Sequence, residues 1–223
     1  MSHPISPDLA PELIAGLLES LASWDPRASV PLAHTFMRVG EDEALKAFDE
    51  LALASPTAKE MLKNRYLSPI PDVAQLAGLP DGSLGKEFER YLTSNDLDVN
   101  LLRESAFIEA HQERGDDVGY LAERGFQLHD LFHVLTGYDT TPFGEVRVVS
   151  FTVAQAPAPY PAMIIATRPL QMVLYRPQLL PFVMDAITDG WALGRRAKPL
   201  LGVQWEEQWD RSLTEIREEY NLV

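Results

Sequence analysis

The sequence has no cysteine, few histidines and an excess of acidic residues, and each feature excludes some functions. Without cysteine among its 223 residues, disulfides, thiolate nucleophiles, iron–sulfur clusters and cysteine-rich zinc modules are all excluded. Any metal ion must therefore bind to Asp, Glu or one of the five histidines. The formal net charge of −14 argues against binding along a nucleic-acid backbone, which needs many clustered cations. We expect no nucleic-acid partner.

Long apolar runs and targeting signals are also missing. No stretch approaches the roughly 18 consecutive apolar residues that a membrane-spanning helix needs. The N-terminal MSHPISPDLAPEL lacks both the pattern of a secretion signal and that of an Arg-rich transit peptide, so we expect a cytoplasmic protein. Apolar residues make up 46% of the chain, which is enough for a real core. Because no repeat or low-complexity tract divides it, we predict a single domain over residues 1–223.

Apolar residues recur at helical spacing along most of the chain, which predicts an all-α fold. A long helical pattern runs from about 98 to 135, with RGDD (114–117) as the place where it could break. Trp205, Trp209, Leu213 and Ile216 follow at spacings of four, four and three, which predicts a terminal amphipathic helix. The run QAPAPYPA (155–162) is the best candidate for a loop between two helical halves.

The stretch GEVRVVSFTVAQ (144–155) gives conflicting signals. Its many β-branched residues favour a strand. Thr141 and Pro142 just before it favour a helix, because a capping side chain is followed by the residue whose fixed φ suits the first helical position. Packing often overrides weak propensity, and a role for Glu145 beside the preceding helix would require a helix here.

The preceding helix contains the most informative residues, in HDLFHVLTGYDTTPFGE (129–145). His129 and His133 are four residues apart, so on a helix they share one face and can bind one divalent ion. Asp130 lies three residues before His133, so it can bind the same ion or orient a histidine through a hydrogen bond. The spacing therefore indicates a metal site, and a hydrogen-bonded polar pocket is the alternative.

A second helix would complete this site. Gly137 is well placed to end the first helix in a left-handed conformation. A short turn and the start at Pro142 would then bring Glu145 back beside His133. The sequence thus predicts a metal site on a helical hairpin, with two imidazoles, one or two carboxylates and open positions for water or substrate.

The pattern His129-Asp130-x-x-His133-x11-Glu145 resembles the signature of the ubiquinone (coenzyme Q) biosynthesis protein 4 family. Two further stretches support the resemblance. LPDGSLGKEFERYL (79–92) is similar to that family's turn and following helix, and QWEEQWDRSLTEIREEYNLV (204–223) is similar to its closing helix. The resemblance extends from about Ala22 to the C-terminus. RGFQLHD and SFTVAQAPAPYPA depart from the family's usual residues, which leaves the substrate open.

The resemblance implies a helical bundle with an apolar tunnel for a polyprenyl (isoprenoid) tail. It assigns the metal and the catalysis to His129, Asp130, His133 and Glu145. Zinc is the first metal we expect, with magnesium, manganese, cobalt or iron as alternatives. The implied function is ubiquinone or related prenylquinone biosynthesis, by oxidative replacement of the ring C1 carboxylate of a polyprenyl hydroxybenzoate with a hydroxyl. Other ubiquinone-biosynthesis enzymes and a second copy of the chain, in a homodimer, are the expected protein partners.

Other functions remain open at this stage. The protein could be a non-catalytic, lipid-binding organiser of a quinone-biosynthesis complex, in which the ion only holds the head group of an isoprenoid. A metal phosphohydrolase with an adjacent His-Asp pair would need a further His and Asp, for which His111 and Asp185 are candidates. A zinc peptidase fits poorly, because Asp130 occupies the place of its glutamate base and the third ligand follows His133 by only 12 residues.

The segment from residue 163 to 204 differs in charge from the rest of the chain. It is rich in large apolar residues and has a local net charge of +3. Its cations are Arg168, Arg176, Arg195, Arg196 and Lys198, against the acids Asp185 and Asp189. This composition predicts peripheral contact with the inner membrane or with a greasy ligand. A pair of core helices with surface arginines explains it equally well.

Overall fold

A computed structural model of the chain describes residues 10–23, 32, 43–99, 112–113 and 115–223. The all-α prediction is confirmed, because in these residues the regular structure is helical and the β-pairing consists of one isolated antiparallel bridge between Ser83 and Ser212. The helices are α1 (Ala10–Ala22), α2 (Glu43–Ala54), α3 (Pro56–Asn64), α4 (Val73–Ala77), α5 (Leu84–Ser94), α6 (Asp117–Gln127), α7 (His129–Thr136), α8 (Pro142–Gln155), α9 (Pro159–Tyr175), α10 (Leu180–Arg196) and α11 (Leu213–Glu219). Two 3₁₀ turns, Pro177–Leu179 and Trp205–Glu207, accompany them.

The chain divides into two compact units. The first comprises Met1–Ser55 and Thr141–Arg195, and the second comprises Pro56–Thr140 and Arg196–Val223. The prediction that the 223 residues act as a single domain stays a prediction.

The first unit is built on the packing of α8 against α9 and α10. Val146, Met172, Val183 and Ala186 form a buried apolar cluster between these helices. The helices α8 and α10 approach so closely that a Cβ on Gly190 would overlap the carbonyl oxygen of Arg147. The helix α1 packs on α9, where Ser20 donates a hydrogen bond to Thr167.

The second unit is held together by pairings between distant parts of the chain. The main-chain N–H groups of Leu84 and Gly85 donate to the carbonyls of Arg211 and Trp209 at 2.8 Å. The ring of Trp209 stacks on Phe88, with centroids 5.5 Å apart and planes 12° apart. These contacts place α5 firmly against the segment that precedes α11.

Three predictions about element boundaries need correction. The helical pattern before residue 135 is two helices, α6 and α7, with Leu128 between them. Asp116 caps the start of α6, so a break at RGDD is confirmed there, whereas residues 100–111 and Arg114 lie outside the described residues. The second correction concerns the loop predicted at 155–162. It is only three residues long, because Pro159 already occupies the first helical position of α9.

The third correction concerns the last helix. The spacing of Trp205, Trp209 and Leu213 predicted one continuous helix, and this was wrong. Trp205 lies in a 3₁₀ turn, and Ser212 caps a separate helix by accepting a hydrogen bond from the N–H of Glu215. The carbonyls of Trp209 and Arg211 bind α5 instead of continuing a helix. Long-range hydrogen bonds therefore overrode the local periodicity.

Candidate metal centre

The helix α7 carries His129, Asp130 and His133 as the sequence predicted. Leu128 separates it from α6, and the main-chain N–H of Phe132 donates to the carbonyl of Leu128 at 2.8 Å. The apolar side of α7 is deeply buried, since Leu131, Phe132 and Leu135 are each at most 2% exposed. This burial fixes the helix, and with it the direction in which the histidines point.

The turn after α7 also matches the prediction. Gly137 ends the helix with φ +77° and ψ +11°, in the left-handed region that favours glycine, and its N–H donates to the carbonyl of His133. Thr141 then caps α8 by accepting a hydrogen bond from the N–H of Gly144, and Pro142 occupies the first turn. The stretch 144–155 is therefore helical, and the preference for helix over strand is confirmed.

His133 is the most constrained of the predicted ligands. Its side chain is buried, and its Nδ1 lies 3.0 Å from the carbonyl oxygen of Tyr138. Because a carbonyl only accepts hydrogen bonds, Nδ1 donates the proton in this contact. Nε2 is a buried atom. A histidine whose Nδ1 donates to a carbonyl can bind a metal through Nε2.

A group of three residues in this stretch could hold a metal ion. One ligand atom each from His129, His133 and Glu145 lies within 4.8 Å of the others. Zinc binds nitrogen and oxygen at about 2.0–2.2 Å, so two ligands of one ion lie at most about 4.4 Å apart. Small side-chain rotations would bring these atoms onto one ion. Two imidazole nitrogens and one carboxylate oxygen suit a divalent ion such as zinc, manganese, cobalt or iron.

Asp130, the fourth predicted ligand, lies outside this group of three. It lines a small cavity together with Phe88, Gln127, Glu206 and Trp209. The structure therefore brings three of the four predicted residues together. A direct bond from Asp130 to the ion stays a prediction, as does its alternative role of orienting a histidine.

The C-terminal end of α7 is bound by a residue that the sequence did not indicate. Arg217 on α11 donates hydrogen bonds to the carbonyls of Val134 and Leu135, at 2.8 and 3.0 Å. These carbonyls have no partner within their own helix, and a cation near this end also favours the helix dipole. Burial lowers the pKa of Arg217 from its usual value.

A second residue missed from the sequence is Tyr91 on α5. Its ring stacks on the imidazole of His133, with centroids 5.4 Å apart. Neither Tyr91 nor Arg217 lies within the stretch 129–145 that indicated the site. No local spacing could have found them, because they reach α7 only through the tertiary fold.

A small apolar cavity lies beside Glu145 within the first unit. Pro142, Phe143, Val146, Ile164, Arg168 and Val183 line it together with Glu145. Arg168 was predicted as part of a basic surface, but it is only 3% exposed and donates to the carbonyl of Ser23 and to Gln171. It is therefore an interior residue of this unit and not a surface cation.

One of the two residues nominated for a phosphohydrolase, Asp185, is not part of this group. Asp185 is exposed on α10, and His111 lies outside the described residues. Within the described part of the chain, no helix is long and apolar enough to cross a membrane.

Comparisons with known proteins agree with the family resemblance that the motif at 129–145 indicated. The family model described as "Coenzyme Q (ubiquinone) biosynthesis protein Coq4" matches residues 14–223. A mitochondrial ubiquinone biosynthesis protein COQ4 homolog of Danio rerio is 33% identical over 153 residues, which are 68% of this chain and 53% of the relative. The human counterpart is 27% identical over 224 residues, covering 99% of this chain and 80% of the relative. The chain thus spans about half the length of the first of these relatives.

A solved structure has a fold similar to that of this chain. A crystal structure from Nostoc punctiforme, provisionally described as a ubiquinone biosynthesis protein, matches with a TM-score of 0.73 and 25% identity. The match covers 96% of this chain and 98% of that one.

Proposed function

The chain belongs to the coenzyme Q (ubiquinone) biosynthesis protein Coq4 family, and we propose that it is a metal-dependent enzyme of prenylquinone assembly. Its reaction would replace the C1 carboxylate of a polyprenyl hydroxybenzoate ring with a hydroxyl. The observation that supports this proposal most directly is the convergence of His129, His133 and Glu145. We further propose that Asp130 completes the set, either as a ligand or by orienting a histidine.

The proposed reaction needs an oxidant, for which we propose dioxygen. The aromatic acid, water and dioxygen would give the hydroxylated ring, carbon dioxide and hydrogen peroxide. The bond from the ring to the carboxylate carbon breaks, a ring C–O bond forms, and the two electrons that the ring loses reduce the dioxygen. A bound divalent ion supplies Lewis acidity, which favours binding of a carboxylate and a neighbouring phenolate. The chain provides the ligands in fixed orientation, and no side chain needs to act as a nucleophile.

We propose that the isoprenoid tail follows the apolar side chains next to Glu145. The small cavity lined by Phe143, Val146, Ile164 and Val183 supports an apolar environment on one side of this carboxylate. Among the described residues that line it, the charged ones are Glu145 and Arg168. We further propose that the binding site for the tail continues beyond this cavity as a tunnel long enough for a polyprenyl chain.

An organising role without catalysis is the second candidate, and the exposed apolar side chains of the first unit favour it. Leu170, Val173, Leu174 and Tyr175 on α9 and Phe182 on α10 are each between 42% and 59% exposed. Large exposed apolar side chains often mark a surface for partners or lipid. The family membership is consistent with partners among other ubiquinone-biosynthesis proteins, and we also propose a homodimer.

The cations between residues 176 and 198 support the further proposal of peripheral contact with an anionic membrane. Arg176, Arg195, Arg196 and Lys198 are exposed in the same segment, whereas Arg168 is removed from this set by its burial. Flotation with anionic liposomes tests the contact. We expect Arg195→Glu with Arg196→Glu to abolish flotation, and Lys46→Glu with Lys59→Glu, an equal charge change on α2 and α3, to preserve it. Equal flotation of both variants would show that the arginines have no special role.

An assay of turnover distinguishes the catalytic role from the organising role without catalysis. Metal-loaded protein is incubated under air with a prenylated 4-hydroxybenzoate, and carbon dioxide and the hydroxyquinol are measured. We expect product from the unmodified chain and from Asp185→Ala, an exposed acid on α10, and none from Glu145→Ala. Product that persists in Glu145→Ala would remove the assigned site from the reaction. Bound lipid and metal without any product would favour the organiser, and metal-dependent release of phosphate from nucleotides would favour the phosphohydrolase.

A further inference from the structure

Tyr91 on α5 touches the metal-site histidine that is most deeply buried. The centroids of the Tyr91 and His133 rings are 5.4 Å apart and their planes differ by 21°. This is the offset-stacked arrangement that aromatic pairs prefer. Tyr91 lies 42 residues before His133, outside the stretch that carries the proposed ligands.

The stacking restricts a motion that the hydrogen bond to Tyr138 leaves open. That bond fixes which nitrogen of His133 carries the proton, but a single in-plane contact still allows the ring to tilt about it. A flat ring against the face of the imidazole opposes such a tilt. The ring of His129 stands edge-on to His133, with centroids 5.1 Å apart and planes at 81°, so it cannot replace the face contact.

The helix that carries Tyr91 is itself fixed at both ends. Near its start, the N–H of Gly85 donates to the carbonyl of Trp209, and a Cβ on Gly85 would lie 2.5 Å from Leu79. At its end, Asn95 donates to the carbonyl of Tyr91 and accepts a hydrogen bond from the hydroxyl of Thr140. Thr140 belongs to the turn that follows α7. The end of α5 is therefore connected to this turn as well as to His133.

We propose that Tyr91 is a positioning residue for the proposed metal ligand His133, acting through its aromatic ring and not through its hydroxyl. The inference rests on the proposed function, because it concerns how the chain holds a metal ligand. Outer residues that orient a ligand by a hydrogen bond typically change metal affinity by about 10- to 100-fold when they are replaced, and we expect a stacked ring to act at the lower end of that range.

Cobalt(II) titration followed by visible absorption tests the proposal, since the absorption bands report the geometry around the ion. We expect Tyr91→Phe, which keeps the ring, to bind cobalt as the unmodified chain does. Tyr91→Leu, which keeps apolar bulk but loses the flat ring, is expected to bind about tenfold more weakly and with an altered spectrum. Tyr220→Leu is the matched control, because it makes the same substitution at another tyrosine of the second unit and removes its ring contact with Trp205.

The control variant distinguishes a loss of His133 positioning from a general loss of stability. Tyr220→Leu should lower the melting temperature and leave the cobalt spectrum unchanged. The proposal is overturned if Tyr91→Leu matches the unmodified chain, if Tyr220→Leu alters the spectrum as much as Tyr91→Leu, or if Tyr91→Phe already weakens binding.

A different result would count against the proposed function itself. If the unmodified chain and His133→Ala give the same cobalt titration, the histidine is not a metal ligand. The state of the ring in the metal-free protein then tests Tyr91 alone, through histidine ¹⁵N spectra. With the proton on Nδ1 in both proteins, we expect a narrow His133 Nδ1 resonance in the unmodified chain and one broadened by ring motion in Tyr91→Leu. Equally narrow resonances in both would overturn the role of Tyr91.

Discussion

The Nδ1 atom of His133 lies 3.0 Å from the carbonyl oxygen of Tyr138. The turn that contains Tyr138 also binds the main chain of His133, because the N–H of Gly137 donates to the His133 carbonyl at 2.8 Å. Both the side chain and the main chain of this residue are thus held by the five residues that follow it. A histidine with Nδ1 bound to a carbonyl offers Nε2 to an ion, which is how outer contacts orient metal-binding imidazoles.

Replacing a proposed ligand on either helix, His133 or Glu145, should remove the metal. We expect His133→Ala and Glu145→Gln each to lower zinc or cobalt affinity by more than about 100-fold, because the loss of a direct ligand exceeds the effect of an outer residue. Elemental analysis and calorimetric titration measure this. Asp185→Asn on α10 is the control and should bind as the unmodified chain does. Full metal occupancy in both His133→Ala and Glu145→Gln would contradict the assigned site.

The left-handed turn at Gly137 should be sensitive to a side chain. Gly137→Ala forces φ near +77° on a residue with a Cβ, which costs about 1–2 kcal/mol, and the new Cβ would lie 3.2 Å from a guanidinium nitrogen of Arg217. We expect lower stability and weaker metal binding. Gly82→Ala isolates the conformational cost, because Gly82 has φ +78° and open space around its Cβ direction. It should lower stability by about 1–2 kcal/mol and leave metal binding unchanged.

The ion pair between Arg124 and Glu206 should matter far more than the one between Arg65 and Asp117. Arg124 is 1% exposed and binds both carboxylate oxygens of Glu206, at 2.9 and 3.2 Å. Glu206→Gln leaves a buried guanidinium without its charge partner, at a cost of about 3–5 kcal/mol. Asp117→Asn breaks a half-exposed pair and should cost less than about 1 kcal/mol. Urea denaturation compares them, and equal midpoints would disprove the difference.

The stability of the second unit should fall in alkaline solution. Burial raises the pKa of Tyr120 above its usual value of 10.0, because the phenolate loses more solvation than the phenol. A folded-state pKa above the unfolded one gives stability that is present below pH 10 and is lost as the pH rises through the folded-state pKa. Tyr66 and Tyr220 shift in the same direction, mainly through burial.

Tyr120→Phe tests this pH dependence. At neutral pH the variant should lose about 0.5–1.5 kcal/mol, because the single hydroxyl proton of Tyr120 is shared between the carbonyls of Met61 and Tyr66, at 3.3 and 3.2 Å. Above pH 10 the gap between the variant and the unmodified chain should narrow. Denaturation midpoints at pH 8 and at pH 10.5, with tyrosinate absorbance as the titration signal, measure it. A gap that is the same at both values would mean that Tyr120 does not titrate with unfolding.

The sequence predicted where these two helices end and begin because the determinants are local. Gly137 ends one helix, Thr141 and Pro142 start the next, and the need to return Glu145 decided between helix and strand. Propensity alone would have failed here, because Val146, Val148 and Val149 are buried on a helix. Their packing in the core outweighs the modest preference of β-branched side chains for strands.

What the sequence could not predict depends on distant contacts. Arg217 looks like an ordinary charged residue on a short helix, and only the fold brings it to the carbonyls of Val134 and Leu135. The same cause explains the failed terminal helix, since the carbonyl of Trp209 binds the N–H of Gly85 more than 120 residues earlier. Spacing reports neighbours along the chain, and these partners are neighbours only in space.

The interleaving of the two compact units has a consequence for how the chain folds as it is synthesised. Residues 56–140 of the second unit require residues 196–223, but the ribosome makes residues 141–195, which belong to the first unit, in between. The helix with the proposed histidines must therefore wait for Arg217 before its last carbonyls are bound. Long-range closure of this kind slows folding and exposes apolar surface in the interim. A nascent chain stalled before residue 196 should accordingly be more readily cleaved by protease in its 56–140 segment than one released with residues 196–223.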